Sequence, residues 1–144
     1  MSLKYNVGIV GLGAIGLQIA QTIDLGKLPQ MRVSAVCSRD HVKAKNNLKS
    51  LKSQPSITSI ENVAKKSDVI IECAPASIFD RVAESAIEAG KIFIPASVGA
   101  LLPRMHLVDR AAETGAKIII PTGALLGLDA VRAAAEGNIE SITL

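Results

Sequence analysis

The chain has 144 residues, a net charge of +3 and few aromatic side chains, namely one Tyr, two Phe and no Trp. This length favours one domain that buries most of its apolar surface without disulfide or metal staples. The scarcity of aromatic residues argues against recognition of single-stranded nucleic acid by base stacking, and the mild charge without a basic block argues against DNA as a partner.

Two further features concern the compartment. No apolar run approaches the ~20 residues of a membrane span, and no signal-peptide pattern is present. Cys37 and Cys73 both fall in apolar runs typical of strands, which indicates buried thiols in a reducing environment rather than a disulfide. We therefore predict a cytoplasmic protein with neither a membrane nor a nucleic-acid partner.

The strongest local pattern lies in residues 5–16. An apolar run rich in β-branched residues meets Gly11, Gly13 and Gly16, which fit G-x-G-x-x-G, and a helical pattern follows directly. Gly11 permits the tight turn, Gly13 leaves room for a pyrophosphate, and Gly16 lets the helix pack closely on the strand. The alternative is an ordinary strand–helix turn, but the position between a strand and a helix favours dinucleotide binding.

Strand and helix patterns then alternate along the chain. Strands are predicted at residues 4–10, 32–37, around 57, and at 68–73, 91–94 and 117–120. Helices are predicted after the glycines, within 41–53, after 59, from 77 to about 90, and from about 103 to 115. This alternation predicts an α/β fold, a doubly wound parallel sheet with right-handed crossovers and helices on both faces.

Several side chains indicate how these helices begin and pack. We predict that Ser59 is an N-cap, that Ser77 and Asp80 form a capping box, and that Pro103 lies in the first turn of a helix. The predicted inward faces are made by the following residues: Ile15, Ile19, Ala20 and Ile23 in the first helix, and Phe79, Val82, Ala83 and Ala86 in a later one.

Ligands of such a sheet bind at the carboxyl ends of the strands. Three loops of small residues fall there, at 73–76, 96–101 and 122–127, and small residues let a flat cofactor approach the backbone. The alternative is that these residues only form tight turns. After residue 121 a glycine-containing hinge, a short helix (128–136) and an alternating strand (139–144) predict a boundary between a dinucleotide-binding domain, 1–121, and the start of a second domain, 122–144.

Four segments together resemble the L-aspartate dehydrogenases and, more distantly, homoserine dehydrogenase-like proteins. They are residues 11–16, 72–74, 97–101 and 121–130. The resemblance implies a Rossmann domain that binds NAD(P), followed by an α+β domain that supplies the substrate pocket and dimer contacts. It also implies hydride transfer between the Cα of L-aspartate and NAD(P), through iminosuccinate, in a homo-oligomer that is a dimer.

The resemblance also assigns residues to the cofactor. Those at the pyrophosphate are Gly11, Gly13, Ala14, Ile15 and Gly16, and those beside the ribose, nicotinamide and substrate are Ala74, Pro75, Ser97, Val98, Gly99 and Ala124. No catalytic residue is assigned, because the resemblance implies that the family's catalytic histidine lies beyond Leu144. His41 and His106 are not expected to replace it, since neither is placed near the reactive ring.

Two functions are compatible with these observations. One is the cofactor-binding part of an aspartate dehydrogenase-like enzyme, represented by a truncated chain. The other is a free-standing NAD(P)-binding or redox-sensing module without catalysis of its own. The final strand pattern favours the first, because a finished domain is not expected to end on a half-buried, unpaired strand.

The end of the second strand predicts the form of the cofactor. NAD is usually selected by an acidic residue there, which bonds the ribose 2′-hydroxyl. Here Ser38 occupies that position and Arg39 follows it, so a 2′-phosphate is favoured and NADP is predicted over NAD, with Lys43 adding charge. The alternative is that Asp40 turns toward the ribose while Arg39 points to solvent.

Overall fold

The computed structural model describes residues 5–121, 135–138 and 141, and within them strands and helices alternate. The strands are β1 (Tyr5–Val10), β2 (Met31–Cys37), β3 (Ser56–Ile57), β4 (Val69–Glu72), β5 (Ile92–Pro95) and β6 (Lys117–Ile118). The helices are α1 (Ala14–Asp24), α2 (His41–Leu48), α3 (Ile60–Lys66), α4 (Phe79–Glu88), α5 (Val98–Leu101) and α6 (His106–Thr114).

The six strands form one parallel sheet in the order β3-β2-β1-β4-β5-β6. From β1 the chain builds outward to β3 on one side, and it then returns to β4 on the other side of β1. The order therefore reverses between β1 and β4, where Val10 pairs with Glu72 at the carboxyl ends. In a doubly wound sheet this reversal opens the crevice in which ligands bind. The predicted Rossmann-type α/β fold is confirmed.

Apolar side chains cover both faces of the sheet. On one face α3, α4 and α6 pack around Phe79 and Phe93, whose rings meet edge to face with centroids 5.9 Å apart. On the other face α1 and α2 cover Val7, Ile9 and Val36, all fully buried. Burying each such side chain contributes about 1.5–3 kcal/mol. The sheet is thus packed between two helical layers, and the loops described below follow the carboxyl ends of its strands.

Most helix faces agree with the sequence patterns. The predicted inward residues of α4 are all fully buried, and Ser59 caps α3 by accepting a hydrogen bond from the Asn62 N–H. Ile15 differs, because its side chain is 60% exposed at the start of α1. Gly16 takes the place against the sheet that the apolar pattern gave to Ile15.

Three predictions about helix ends are wrong. Ser77 and Asp80 form no capping box, since a 3-10 turn precedes α4 and the Asp80 carboxylate pairs with Arg104. The loop predicted at 96–101 contains α5, which buries Leu101. Pro103 lies in a separate 3-10 turn before α6, where its missing N–H costs nothing.

Strand β6 is shorter than the predicted 117–120. Only Lys117 and Ile118 pair in register with β5, and the Ile119 N–H adds one bond to the Phe93 carbonyl. The partner strand then ends at Pro95, which has no N–H for further pairing. The predicted hinge (122–127) and Ala124 lie outside the described residues, as do most of the helix predicted at 128–136 and of the strand predicted at 139–144.

Candidate dinucleotide site

The glycine-rich turn joins β1 to α1 at the point where the sheet order reverses. Gly11 has φ +96°, a left-handed conformation that L side chains rarely adopt, and a Cβ there would lie 2.3 Å from the Cys73 carbonyl oxygen. Gly11 thus permits both the turn and the close approach of the backbone that follows β4. The Gly11 N–H also bonds the Cys37 carbonyl, at 2.8 Å, and so joins the turn to the end of β2.

Gly13 and Gly16 have different surroundings. A Cβ on Gly16 would lie 2.0 Å from the Gly11 carbonyl oxygen, so this glycine brings α1 onto the turn, as predicted. A Cβ on Gly13 would meet nothing within 4 Å, so the space above it is open. Gly13 is the N-cap of α1, and no side chain caps the helix. The N–H groups of the first turn, at the exposed Ala14 and Ile15, are therefore left for an anion such as a pyrophosphate.

After the end of β2, the cationic Arg39 is exposed, and the carboxylate of its neighbour Asp40 is engaged in a helix cap. Asp40 is the N-cap of α2, and its Oδ1 accepts a hydrogen bond of 2.9 Å from the Lys43 N–H. Arg39 is exposed, and no carboxylate of residues 5–121 lies within ion-pair distance of it. The Ser38 hydroxyl bonds the Asp40 carbonyl at 3.3 Å. Arg39 therefore faces solvent without a carboxylate partner, while Asp40 is held in a helix cap.

A buried carboxylate joins the loops that follow β4 and β5. Glu72 ends β4 and is 0% exposed. Its Oε1 accepts hydrogen bonds from the Ala74 N–H, at 2.8 Å, and from the Ser97 hydroxyl, at 3.1 Å. Its Oε2 accepts one from the Ser97 N–H, at 3.0 Å. Two of the sequence-predicted site residues, Ala74 and Ser97, are thus held by one side chain that was not predicted to belong to the site.

Helix α5, which holds Val98 and Gly99, is fixed from its other end by Arg104. The Arg104 guanidinium donates to the Ala100 carbonyl at 2.8 Å, lies 5.5 Å over the Phe79 ring and pairs with Asp80. The hydrogen bond from Arg104 lowers the pKa of Asp80 below its ordinary value. The segment after β5 is therefore anchored by Glu72 at its start and by Arg104 at its end.

The thiols and imidazoles give no nucleophile–base pair within the described part of the chain. Burial raises the pKa of Cys73 to about 11, the Glu72 charge adds to the increase, and burial likewise raises the pKa of Cys37. Both cysteines are free, and the raised pKa favours the protonated thiol over the reactive thiolate. His41 and His106 are exposed first residues of α2 and α6. Residues 5–121, 135–138 and 141 contain no cluster of three or more potential metal ligands and no helix long and apolar enough to cross a membrane.

The predicted site residues that the structure describes thus lie at the carboxyl ends of the strands, and Ala124 lies outside the described residues. The glycine turn contacts the β4 loop, and Glu72 ties that loop to the β5 loop, while Ser38 follows the residue that bonds Gly11. Pro75 and Gly99 are exposed beside them. The signal that could have identified Glu72 is a single acidic residue at the end of an otherwise apolar central strand. Burying a charge is costly unless the charge is paired or hydrogen-bonded, so such a residue indicates specific polar partners.

A Rossmann sheet with a glycine turn at its reversal point defines the class, a dinucleotide-binding domain of the dehydrogenase type. The sequence profile of the homoserine dehydrogenase NAD-binding domain matches residues 11–121, and the chain belongs to this family.

Similar proteins agree with this class. The chain is 41% identical over 143 residues to the L-aspartate dehydrogenase of Bradyrhizobium diazoefficiens, covering 99% of this chain and 50% of that protein. It is 40% identical to L-aspartate dehydrogenase 3 of Bordetella bronchiseptica over 98% of this chain and 52% of the relative. The chain thus spans about half the length of these relatives. The UDP-N-acetylglucosamine 3-dehydrogenase of Acidithiobacillus ferrooxidans shares the fold, with a TM-score of 0.72 and 20% identity over 94% of this chain and 44% of that one.

Proposed function

We propose that the chain is the NAD(P)-binding part of an L-aspartate dehydrogenase-like oxidoreductase. One observation carries this proposal. The chain is 41% identical to an L-aspartate dehydrogenase over 99% of its length, and this aligned region spans the glycine turn at the sheet reversal. The small-molecule substrate would be a dicarboxylic amino acid such as L-aspartate. The proposed domain boundary follows residue 121, where the match to the NAD-binding family also ends.

The residues of the turn fit the cofactor's pyrophosphate. Gly13 leaves open space above the uncapped first turn of α1, and Gly11 and Gly16 let the backbone and helix pack beneath it. A bound nicotinamide would supply the hydride chemistry. The chain's own residues would bind and orient the cofactor: the turn would hold the phosphates, and the segments around Ala74–Pro75 and Ser97–Gly99 would border the ring, with Ala124 assigned there by family resemblance.

Within this proposal the cofactor is NADP rather than NAD. Arg39 is exposed without a carboxylate partner in residues 5–121, which supports a role in binding a 2′-phosphate. The alternative acidic ligand for the ribose, Asp40, is engaged in capping α2.

The proposed compartment is the cytoplasm, and the free cysteines support a reducing environment of this kind.

We also propose a dimer. Five large apolar side chains are exposed around α5, α6 and the end of β6: Leu102, Met105, Val108, Ile119 and Ile120. We infer that these five, which lie between residues 102 and 120, form one patch at the β6 edge of the sheet, because an exposed apolar patch favours a covered surface. Sedimentation velocity checks this proposal, because a clean monomer at micromolar concentration contradicts self-association through this edge.

Binding and turnover together test the proposed function. The 144-residue chain is expected to bind NADPH, observed as enhanced nicotinamide fluorescence, and to reduce little or no NADP with L-aspartate by itself, because neither of its two histidines, His41 and His106, is expected near the nicotinamide. Gly13→Val is expected to abolish binding by filling the pyrophosphate space. Failure of the wild type to bind either NADPH or NADH, or substantial aspartate-dependent reduction by this chain, contradicts the proposal.

A further inference from the structure

We propose that Glu72 is the positioning residue for the nicotinamide half of the bound dinucleotide. In this assignment the carboxylate does not touch the reacting atoms. It holds the segments after β4 and β5 in one fixed relation and sets the direction of the Ser97 hydroxyl. The inference rests on the proposed function, because it concerns the same site, and it adds a residue and a role that the sequence patterns did not assign.

The Glu72 carboxylate bonds two separate segments of the chain. Three donors converge on one carboxylate: the Ala74 N–H at 2.8 Å, the Ser97 N–H at 3.0 Å and the Ser97 hydroxyl at 3.1 Å. The two residues lie after different strands, and 25 positions separate Glu72 from Ser97. No other side chain in the described residues bonds both segments. Beyond the pairing of β4 with β5 and the backbone bond from the Ala96 N–H to the Glu72 carbonyl at 2.8 Å, this carboxylate is therefore what links the two segments.

The location of Glu72 links it to the proposed site. Glu72 pairs in register with Val10 of β1 and with Pro95 of β5, so it sits at the carboxyl end of a central strand. The following residue, Cys73, contributes the carbonyl that contacts Gly11. A shift of the segment after β4 would consequently displace the glycine turn on one side and Ser97 on the other. The carboxylate lies where the crevice of the doubly wound sheet opens.

Stability alone does not account for a charge at this position. Central strands of parallel sheets are normally apolar on both faces, and Val69, Ile70 and Ile71 follow that rule. Glu72 is fully buried, and none of the ion pairs among the described residues includes it. A buried charge is costly and is a weak source of stability compared with an apolar side chain of similar size. A positional role explains why a carboxylate stands here.

The bond to Glu72 fixes the direction of the Ser97 hydroxyl proton. Ser97 is the N-cap of α5, yet its side chain does not cap the helix and donates to Glu72 instead. A hydroxyl has one proton, so with that proton directed at the carboxylate its oxygen can only accept further hydrogen bonds. Ser97 therefore presents an acceptor to whatever lies beside it. Donor groups of the nicotinamide half, its ribose hydroxyls and its carboxamide N–H, complement such an acceptor.

The test separates the two halves of the cofactor. Titration calorimetry would measure Kd for NADPH and for 2′-phospho-ADP-ribose, which lacks nicotinamide, or for NADH and ADP-ribose if the wild type prefers NADH. Glu72→Gln is expected to raise Kd for the dinucleotide about tenfold, the effect of losing roughly one hydrogen bond. Kd for the fragment without nicotinamide is expected to change less than about twofold, because the glycine turn is untouched.

Matched variants keep the test decisive. Glu84→Gln makes the same chemical change at an exposed position of α4, and it is expected to leave both affinities unchanged. Ser97→Ala removes one donor and one acceptor without adding bulk, and Ser97→Thr keeps the hydroxyl. If Glu72→Gln does not fold by circular dichroism, a selective loss of dinucleotide affinity in Ser97→Ala with recovery in Ser97→Thr supports the same assignment.

The outcomes are distinguishable from failure of the proposed function. A wild type that binds neither ligand overturns both proposals. A wild type that binds both, with folded Glu72→Gln or Ser97→Ala losing affinity equally for the two ligands or for neither, overturns the role of Glu72 and leaves the proposed function standing. Only a loss confined to the nicotinamide-containing ligand supports the positioning role.

Discussion

Gly16 packs against Gly11 so closely that a Cβ on Gly16 would lie 2.0 Å from the Gly11 carbonyl oxygen and 3.2 Å from the Ile9 side chain. The clash involves backbone, which cannot rotate away as a side chain can. We expect Gly16→Ala to lower the free energy of unfolding by about 3 kcal/mol or more, a large fraction of the total for a domain of this size. Urea denaturation followed by circular dichroism measures the change.

Gly13 provides the control for that substitution. Its φ is −80° and a Cβ would meet nothing within 4 Å, so Gly13→Ala should cost at most about 1 kcal/mol, mainly through the poorer N-cap. Cofactor affinity should nevertheless fall, because the methyl group occupies the proposed pyrophosphate space. Equal stability losses in the two variants would contradict the different roles given to these glycines.

The sequence was sufficient for the sheet and for the glycine turn because both depend on local rules. Apolar runs and breakers located every strand, and alternation with helices predicted that the sheet is parallel, although not the order of its strands. Two predictions failed where a distant residue decided the outcome. Asp80 was predicted to cap its own helix, but Arg104, 24 residues later, takes its carboxylate. Residues 98–101 were predicted as loop, but a bond from the Ser97 N–H to Glu72 and one from Arg104 to the Ala100 carbonyl anchor a short helix there.

The role of Glu72 could not be predicted for the same reason. Its three donors come from Ala74 and from Ser97, and the pairing of β4 with β5 brings the second of these residues close. Sequence periodicity indicates which face a side chain takes, but not which loop it meets at the end of a strand. Long-range polar contacts of this kind are where a functional site departs from local rules.

Cys73 should report the buried environment beside Glu72. Its pKa is raised from 9.0 to about 11, mainly by burial and further by the Glu72 charge. The folded thiol holds its proton more tightly than the unfolded one, so this stabilisation is present below pH 9 and is lost as the pH rises through about 11. The difference in unfolding free energy between wild type and Cys73→Ala should therefore shrink between these pH values. A difference independent of pH would contradict the shifted pKa.

Alkylation rates give a second measurement on the same thiol. The wild-type Cys73 should react slowly with iodoacetamide at pH 7.5, since the thiolate is the reactive form. Cys37→Ala isolates this thiol from the other free cysteine. Adding Glu72→Gln to that background should accelerate alkylation, because the charge that raises the Cys73 pKa is gone, although burial, the larger cause, keeps the pKa above 9.0.

Arg104 should matter more than its surface ion pair suggests. Besides pairing with Asp80, it bonds the Ala100 carbonyl at 2.8 Å and covers Phe79. Arg104→Met is therefore expected to lower Tm more than Asp80→Asn, which removes only the ion pair. The lowered pKa of Asp80 adds a pH dependence: its stabilisation is present above the unfolded pKa, near 3.8, and is lost as the pH falls through the lower folded value. Equal Tm losses would show that only the ion pair contributes.

The choice between NADP and NAD is expected to depend on Arg39. In the structure Arg39 is exposed at the end of β2, whereas the Asp40 carboxylate accepts the Lys43 N–H in the cap of α2. A guanidinium can bind a 2′-phosphate bidentately, but it gains little from a ribose hydroxyl. A contact from Arg39 therefore favours NADP, and a contact from Asp40 favours NAD. Substituting each residue in turn distinguishes these alternatives.

We expect Arg39→Ala to raise Kd for NADPH about tenfold and to change Kd for NADH less than about twofold, since one charge-assisted contact to the phosphate is lost. The effect should weaken with added salt, because an exposed ion pair is screened. Asp40→Asn keeps a residue type that caps helices well, so it should leave the preference unchanged, and Lys49→Ala controls for the loss of one positive charge at the far end of α2. Fluorescence titrations with both cofactors give all the constants. Three outcomes would each show that Arg39 does not bind the 2′-phosphate. They are a wild type that prefers NADH, a preference that disappears in Asp40→Asn, and an NADPH affinity that Arg39→Ala leaves unchanged.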